Sequence, residues 1–203
     1  MRYKWLNKDN NRELIIFFNG WGMDESIVKH LNPECYDLLM FFDYNNLNLD
    51  LELQELNIYK KKFLVAWSMG VMVATKFDIK YDKKTAINGT LLPINNRFGI
   101  PERIYNLTLN KFSPLGAKKF ISSMFKEECI LPNINREFEN LKTELEALSH
   151  YQANQDFKYD RIILSSDDKI IPTKNQIAFW AIKPNIDSGH APFYHFKLWS
   201  ELL

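Results

Sequence analysis

The chain has 203 residues, 46% of them apolar and including 15 Phe, 9 Tyr and 5 Trp, which fits a single domain with one substantial core and argues against a disordered protein. The 26 Lys and Arg residues nearly balance the 25 Asp and Glu residues, so no overall charge draws the protein to nucleic acid or to an anionic membrane. The N-terminus lacks a signal-peptide pattern and no apolar run approaches the roughly 20 residues of a membrane span, so we expect a cytoplasmic protein.

Five short apolar runs predict the strands of a sheet that is covered on both faces. They lie at residues 14–18, 38–42, 63–67, 85–87 and 161–165. Helical spacing of apolar residues predicts a short helix after Asp24 and another after Gly70. This alternation of strands and helices favours an α/β fold with a mostly parallel central sheet flanked by helices.

Residues from about 93 to 156 interrupt the alternation. Several prolines are followed by a helical pattern from 137 to 151, so we expect a small helical insertion that lies over the sheet as a lid. After the last predicted strand, Pro172 opens a further helix, and a final helix is predicted from 192 to 203. The sequence therefore predicts one domain over residues 1–203 with one helical lid insertion at about 93–156.

Ser68 stands where the strand at 63–67 meets the following helical pattern. Ala66 and Gly70 flank it, and small residues are needed there because a sharp strand-to-helix turn brings backbone segments close together. The pattern resembles the G-x-S-x-G nucleophile elbow of the α/β-hydrolase fold, with Ala66 in place of the first glycine. The structural alternative is a serine that caps the following helix.

A serine hydroxyl becomes nucleophilic when an imidazole takes its proton and a carboxylate orients that imidazole. In the α/β-hydrolase fold the acid and then the histidine follow the serine along the chain. Asp167 and Asp168 both follow the strand at 161–165, and the spacing Asp-x-x-x-Pro to Pro172 favours Asp168, because Asp167 suits a turn. His190 lies in a loop before the last predicted helix and is the predicted base.

The first predicted strand ends in Asn-Gly-Trp-Gly at residues 19–22, where α/β-hydrolases carry half of the oxyanion hole. We expect the backbone amides of Trp21 and Met69 to be the oxyanion donors. Many hydrolases have His-Gly at this point, which leaves the role of the Asn19 side chain open. The rings of Trp21 and Trp67 are candidates to line an apolar substrate slot, with packing in the core as the alternative.

Together with Asn-Gly-Thr at 88–90 and Phe-Gly-Ile-Pro at 98–101, these motifs resemble the BioG family of pimeloyl-acyl-carrier-protein methyl ester esterases over essentially the whole chain. The resemblance implies hydrolysis of the methyl ester of pimeloyl-acyl carrier protein in biotin synthesis. The chemistry of the predicted triad needs no metal and no organic cofactor.

The resemblance also implies an acidic acyl carrier protein as partner. Basic residues of the predicted insertion could bind it, with a solvated helix face as the alternative. They are Arg97, Arg103, Lys111, Lys118, Lys119, Lys126 and Arg136.

Two other functions stay open at this point. A general carboxylesterase or acyl thioesterase would share Ser68, Asp168 and His190 and differ in its pocket. A catalytically silent binding protein would be expected to lack one of the three. Cys35 and Cys129 are interpreted as packed thiols rather than a disulfide, as expected for a cytosolic chain of this size.

Overall fold

The computed structural model of the chain describes residues 1–127 and 132–203. Within these residues six strands form one sheet: β1 (Arg2–Asn7), β2 (Glu13–Phe18), β3 (Tyr36–Phe42), β4 (Lys61–Trp67), β5 (Lys83–Ile87) and β6 (Arg161–Ile163). Their order across the sheet is β1-β3-β2-β4-β5-β6. Strand β1 runs antiparallel to β3 and every other neighbouring pair is parallel, so the predicted mostly parallel sheet is confirmed.

The sheet is buried on both faces, which explains its continuous apolar runs. Along β2, Leu14 and Ile16 face one core cluster while Ile15 and Phe17 face the other, and none of the four is more than 1% exposed. Each such side chain contributes roughly 1.5–3 kcal/mol through burial. Strand β1 is not among the predicted strands because it lies at the edge of the sheet and mixes exposed with partly buried residues.

Five α-helices accompany the sheet in the described part of the chain: α1 (Gly70–Val73), α2 (Glu102–Asn110), α3 (Pro114–Ser123), α4 (Phe138–Leu148) and α5 (Thr173–Trp180). Helices α2, α3 and α4 all lie between β5 and β6, inside the segment predicted to be a helical insertion. Its role as a lid stays a prediction. None of the helices in the described ranges is both long enough and apolar enough to cross a membrane.

The predicted final helix from 192 to 203 is wrong. The chain forms two short 3-10 turns there, Phe193–His195 and Trp199–Leu202. Between them the backbone pairs with Asn32, whose amide donates to the Lys197 carbonyl at 2.8 Å and whose carbonyl accepts from the Trp199 amide at 3.2 Å. This extended pairing interrupts the helix and lets the chain bury both Phe193 and Trp199.

Two smaller expectations also change. The predicted helix after Asp24 is a 3-10 turn, Glu25–Ile27, which the Asp24 carboxylate caps through the Ser26 amide at 2.9 Å. Cys35 is a free thiol, as predicted, but it is exposed rather than packed. Cys129 lies outside the described residues.

The Asp37 carboxylate ties together one end of the sheet. It is fully buried in β3 and accepts hydrogen bonds from the Tyr59 hydroxyl at 2.7 Å and from the amides of Asp9 and Asn11 at 2.9 and 3.1 Å. Burial raises the pKa of Asp37, but these hydrogen bonds outweigh burial and hold it below its ordinary value. The ionised form therefore stabilises the fold.

We expect Asp37→Asn to lower the free energy of unfolding at pH 7 by about 2 kcal/mol, because hydrogen bonds to a charged acceptor are the stronger kind. The folded pKa is depressed, so this contribution is present above the unfolded value of about 3.9 and is lost as pH falls through the folded value. Urea denaturation from pH 7 to pH 3.5 measures it, with exposed Asp9→Asn as the control. A wild-type minus variant difference that grows toward low pH would contradict this account.

Candidate active site

Ser68 lies on a sharp turn between β4 and α1. Its φ of +57° is left-handed, a conformation that costs a non-glycine residue of order 1–3 kcal/mol. The Ser68 amide donates to the Ile87 carbonyl at 3.0 Å, which anchors the turn to β5. A side chain at Gly70 would place its Cβ 2.3 Å from the Phe18 carbonyl oxygen, so this position requires glycine. Ser68 does not cap α1, which has no side-chain cap.

The structure brings the three predicted catalytic side chains together. The Ser68 hydroxyl lies 2.8 Å from His190 Nε2, and His190 Nδ1 lies 2.7 Å from Asp168 Oδ2. All three are buried, His190 completely. When Nδ1–H donates to the carboxylate, Nε2 is free to accept the Ser68 proton, which is the tautomer that a general base needs. Asp167 instead points outward, with a side chain 42% exposed and 3.4 Å from Lys169.

Four donors fix the Asp168 carboxylate. Oδ1 accepts from the amides of Ile170 and Ile171 at 2.9 and 3.0 Å, while Oδ2 accepts from Gln176 Nε2 at 2.8 Å as well as from His190. These hydrogen bonds fix the orientation of the carboxylate relative to His190. The hydrogen bonds from the Ile170 and Ile171 amides form because the chain turns tightly before α5. This turn accounts for the spacing from Asp168 to Pro172. Gln176 is not singled out by the sequence, since nothing in a helix pattern marks this contact.

Asn88, directly after β5, holds the histidine loop. Its Nδ2 donates to the carbonyls of Gly189 and His190 at 3.2 and 2.9 Å, and its Oδ1 accepts from the Ser165 amide at 2.8 Å. Trp67 adds a bond from its indole N–H to the His190 carbonyl at 2.8 Å. The Asn-Gly-Thr motif at 88–90 is the sequence signal for this role.

The side chain of Asn19, whose role the sequence leaves open, fixes the loop after β2. Asn19 Oδ1 accepts from the Gly20 amide at 2.8 Å, and its Nδ2 donates to the Asp24 carbonyl at 3.0 Å. The described residues supply no acceptor for the backbone N–H of Trp21 or of Met69. Both residues line the cavity beside Ser68, and their role as oxyanion donors stays a prediction.

A mostly apolar cavity of about 90 Å³ opens beside Ser68. Trp21 and Trp67 both line it, although Trp67 is also fully buried against His190, with 5.3 Å between the ring centres. Helices α2, α3 and α4 each supply part of its wall, through Tyr105, Phe120 and Leu145 respectively. The segment between β5 and β6 thus supplies part of the wall of the cavity beside the serine.

The chain is similar to known proteins over nearly its whole length. The family model described as pimeloyl-ACP methyl esterase BioG matches residues 1–202. The crystal structure of BioG from Haemophilus influenzae is 34% identical, with a TM-score of 0.89 over 100% of this chain and 99% of that one. An uncharacterized protein of the same organism is 37% identical over 93% of each chain.

A hydrolase from Oleispira antarctica shares the fold at 12% identity, with a TM-score of 0.64 over 95% of this chain and 89% of that one. The predicted α/β-hydrolase fold and the predicted resemblance to BioG are confirmed.

The two neighbouring aspartates give a test of the site. We expect Asp168→Asn to lower kcat by about 10⁴-fold, because a neutral amide no longer holds His190 in the tautomer that accepts the serine proton. Asp167→Asn is the matched control and should change kcat less than twofold. Steady-state ester hydrolysis by both purified variants measures the difference, and the reverse ranking would exchange the roles of the two residues.

Proposed function

The chain belongs to the BioG family of pimeloyl-ACP methyl esterases, and we propose that Ser68, His190 and Asp168 perform its ester hydrolysis through an acyl-enzyme. The family activity makes it a carboxylesterase of biotin biosynthesis that converts the methyl ester of pimeloyl-ACP to the free acid and methanol. The observation that carries the assignment of residues is the imidazole of His190, which lies within hydrogen-bond distance of both Ser68 and Asp168.

In the first half of the reaction, His190 Nε2 takes the proton of Ser68 as Oγ attacks the ester carbonyl carbon. The backbone amides of Trp21 and Met69 donate to the oxyanion that develops. The imidazolium then gives its proton to the methoxy oxygen, the carbon–oxygen bond breaks, and methanol leaves. Asp168 stays ionised and stabilises the imidazolium throughout.

The second half repeats these steps with water in place of serine. His190 takes a proton from the water, whose oxygen attacks the acyl carbon, and the same two amides stabilise the oxyanion. Collapse of this intermediate returns the proton to Ser68 Oγ and releases the carboxylic acid. The burial of His190 limits competition from bulk water for its hydrogen bonds.

The apolar cavity supports an acyl substrate whose methyl ester lies at the end of a methylene chain. We propose that Trp21 and Trp67 contact this chain and that the helices of residues 93–156 act as the lid. A general carboxylesterase or acyl thioesterase would use the same Ser68, Asp168 and His190. Only the proposed esterase recognises the carrier protein at the other end of the substrate, so dependence of the activity on the carrier distinguishes these functions.

Part of the insertion is suited to an acidic carrier protein. Six of the seven predicted basic residues are exposed, and we propose that the carrier contacts the five that form no ion pair with a described residue: Arg97, Arg103, Lys111, Lys118 and Lys119. Arg136 is excluded because its side chain is 2% exposed and pairs with Glu144 at 2.9 Å. Lys126 is paired with Asp187 at 2.6 Å. We also propose that the protein acts in the cytoplasm, as the sequence predicts.

We expect the wild type to hydrolyse methyl pimeloyl-ACP with a kcat/KM at least tenfold above that for dimethyl pimelate, and Ser68→Ala to hydrolyse neither. The carrier should add binding energy that the small ester lacks. Methanol release and mass spectrometry of the carrier measure both reactions. Equal kcat/KM for the two esters would favour the general esterase.

The proposed carrier surface is tested in the same assay by Lys118→Glu combined with Lys119→Glu. This variant should raise KM for the carrier-bound ester several-fold and leave the small ester unaffected, because charge complementarity acts on the carrier. Lys60→Glu combined with Lys80→Glu makes the same charge change before β4 and β5, at the end of these strands away from Ser68. An equal rise in KM for both double variants would reject this surface.

A further inference from the structure

The loop at residues 19–24, which carries the proposed oxyanion donor Trp21, is fastened to the insertion. The indole N–H of Trp21 donates to the Leu141 carbonyl of α4 at 2.9 Å. The Gly22 amide donates to Glu144 Oε2, also on α4, at 3.3 Å. Asp24 Oδ2 accepts from the Asn135 amide at 2.7 Å. Three successive parts of the loop therefore depend on the insertion for their position.

Glu144 is an unusual residue for the inner face of a helix. Its side chain is completely buried, and the other buried residues of α4 are the apolar Leu145 and Leu148. Burial raises the pKa of Glu144, although Arg136 opposes this effect. Removing a carboxylate from water costs several kcal/mol unless partners compensate, and an apolar residue would fill this position at lower cost. The position of the carboxylate must be explained by what it binds.

The Glu144 carboxylate accepts hydrogen bonds from three donors, one in the loop and two outside it. Oε2 accepts from Arg136 Nη2 at 2.9 Å as well as from Gly22, and Oε1 accepts from the Tyr44 amide at 2.9 Å. Arg136 continues the connection, since its Nη1 donates to the Met23 carbonyl at 3.4 Å. Glu144 thus links α4, the end of β3 and the loop after β2 at one point.

The local conformation explains why such an acceptor matters. Gly22 has a φ of +74°, so its peptide lies in the left-handed region and its amide turns toward Glu144. Trp21 is then fixed on both sides, by its indole at Leu141 and by the following amide at Glu144. The preceding amide, of Gly20, is bound to Asn19. The Trp21 amide lies between these fixed points and keeps no protein acceptor among the described residues.

We propose that Glu144 is a positioning residue for the ester hydrolysis, which holds the loop so that the Trp21 amide is preorganised for the oxyanion. This inference rests on the proposed function, because it takes the Trp21 amide as an oxyanion donor. It assigns the insertion a part in the chemical step in addition to covering the cavity. Donors aimed at an oxyanion act through fixed geometry, so a loop that is free to shift loses transition-state stabilisation before it loses substrate binding.

The test compares Glu144→Met and Glu144→Gln with Asp43→Asn. Methionine removes both acceptors and keeps the volume, and we expect kcat to fall at least tenfold with KM within twofold of wild type. In the Gln variant one oxygen acceptor remains, but either orientation of the amide places its NH2 group against a donor. We therefore expect kcat to fall about threefold, less than in the Met variant. Affinity for a trifluoromethyl ketone analogue of the ester should fall in proportion to kcat/KM.

Asp43→Asn is the matched control because Asp43 lies 3.5 Å from Arg136 in the same buried cluster yet is not bonded to the loop. Its φ of +59° suits asparagine. This variant should keep kcat within twofold of wild type. Thermal unfolding and titration of reactive serine with a fluorophosphonate count the folded sites in each variant.

Wild-type kcat and inhibitor affinity in folded Glu144→Met would overturn the inference, as would the same result in Glu144→Gln if the Met variant does not fold. An equal loss of kcat in Asp43→Asn would also overturn it, since a general loss of the cluster would then explain the effect. Each variant is compared with the wild type on an ester that the wild type hydrolyses. A wild type that hydrolyses another ester but not methyl pimeloyl-ACP would contradict the proposed substrate and would leave the test of Glu144 intact.

Discussion

The contact of His190 with both Ser68 and Asp168 is the constraint on which the rest of the site depends. An imidazole can take the serine proton at one nitrogen while a carboxylate orients it at the other only when both partners lie within hydrogen-bond distance, so three loops must meet to within a few tenths of an ångström. The parallel sheet makes this possible because β4 and β6 end at the same edge, beside β5. Asn88 at the end of β5 then binds the carbonyl of His190 itself.

The strain at Ser68 fits the same constraint. A left-handed serine is unfavourable in isolation, and it persists because the sheet bond to Ile87 and the close packing of Gly70 on β2 determine the turn. The hydroxyl is thereby directed away from the helix it precedes and toward His190. The insertion also contributes to the site, since α2, α3 and α4 each supply part of the cavity wall and α4 binds the loop after β2.

Features that depend on neighbours along the chain were predictable from the sequence. The buried strands and the elbow around Ser68 follow from local patterns of apolar and small residues. The order of acid and histidine is the one that the α/β-hydrolase fold has along the chain. The spacing to Pro172 favoured Asp168 over Asp167 as the acid, because the turn that binds the Asp168 carboxylate and the start of α5 both lie within a few residues of it. The final helix failed as a prediction because pairing with Asn32, a contact distant in sequence, replaced the local helical preference.

The supporting side chains were beyond this reasoning for the same physical reason. Gln176, Glu144 and Arg136 are ordinary polar residues in helical or loop patterns, and their roles come from partners that the fold brings close. Arg136 shows the limit well, since its charge suggested a surface for the carrier whereas the fold buries it beside Glu144. Sequence patterns identify groups that perform chemistry more readily than groups that hold them in place.

The proposed reaction depends on Ser68 as the nucleophile. Reaction of the wild type and of Ser68→Ala with a fluorophosphonate, followed by mass spectrometry of the modified peptide, tests this role directly. We expect one phosphonate per wild-type chain, on Ser68 Oγ, slower labelling when methyl pimeloyl-ACP is present, and no labelling of the variant. A phosphonate on another residue, or equal labelling of Ser68→Ala, would contradict it.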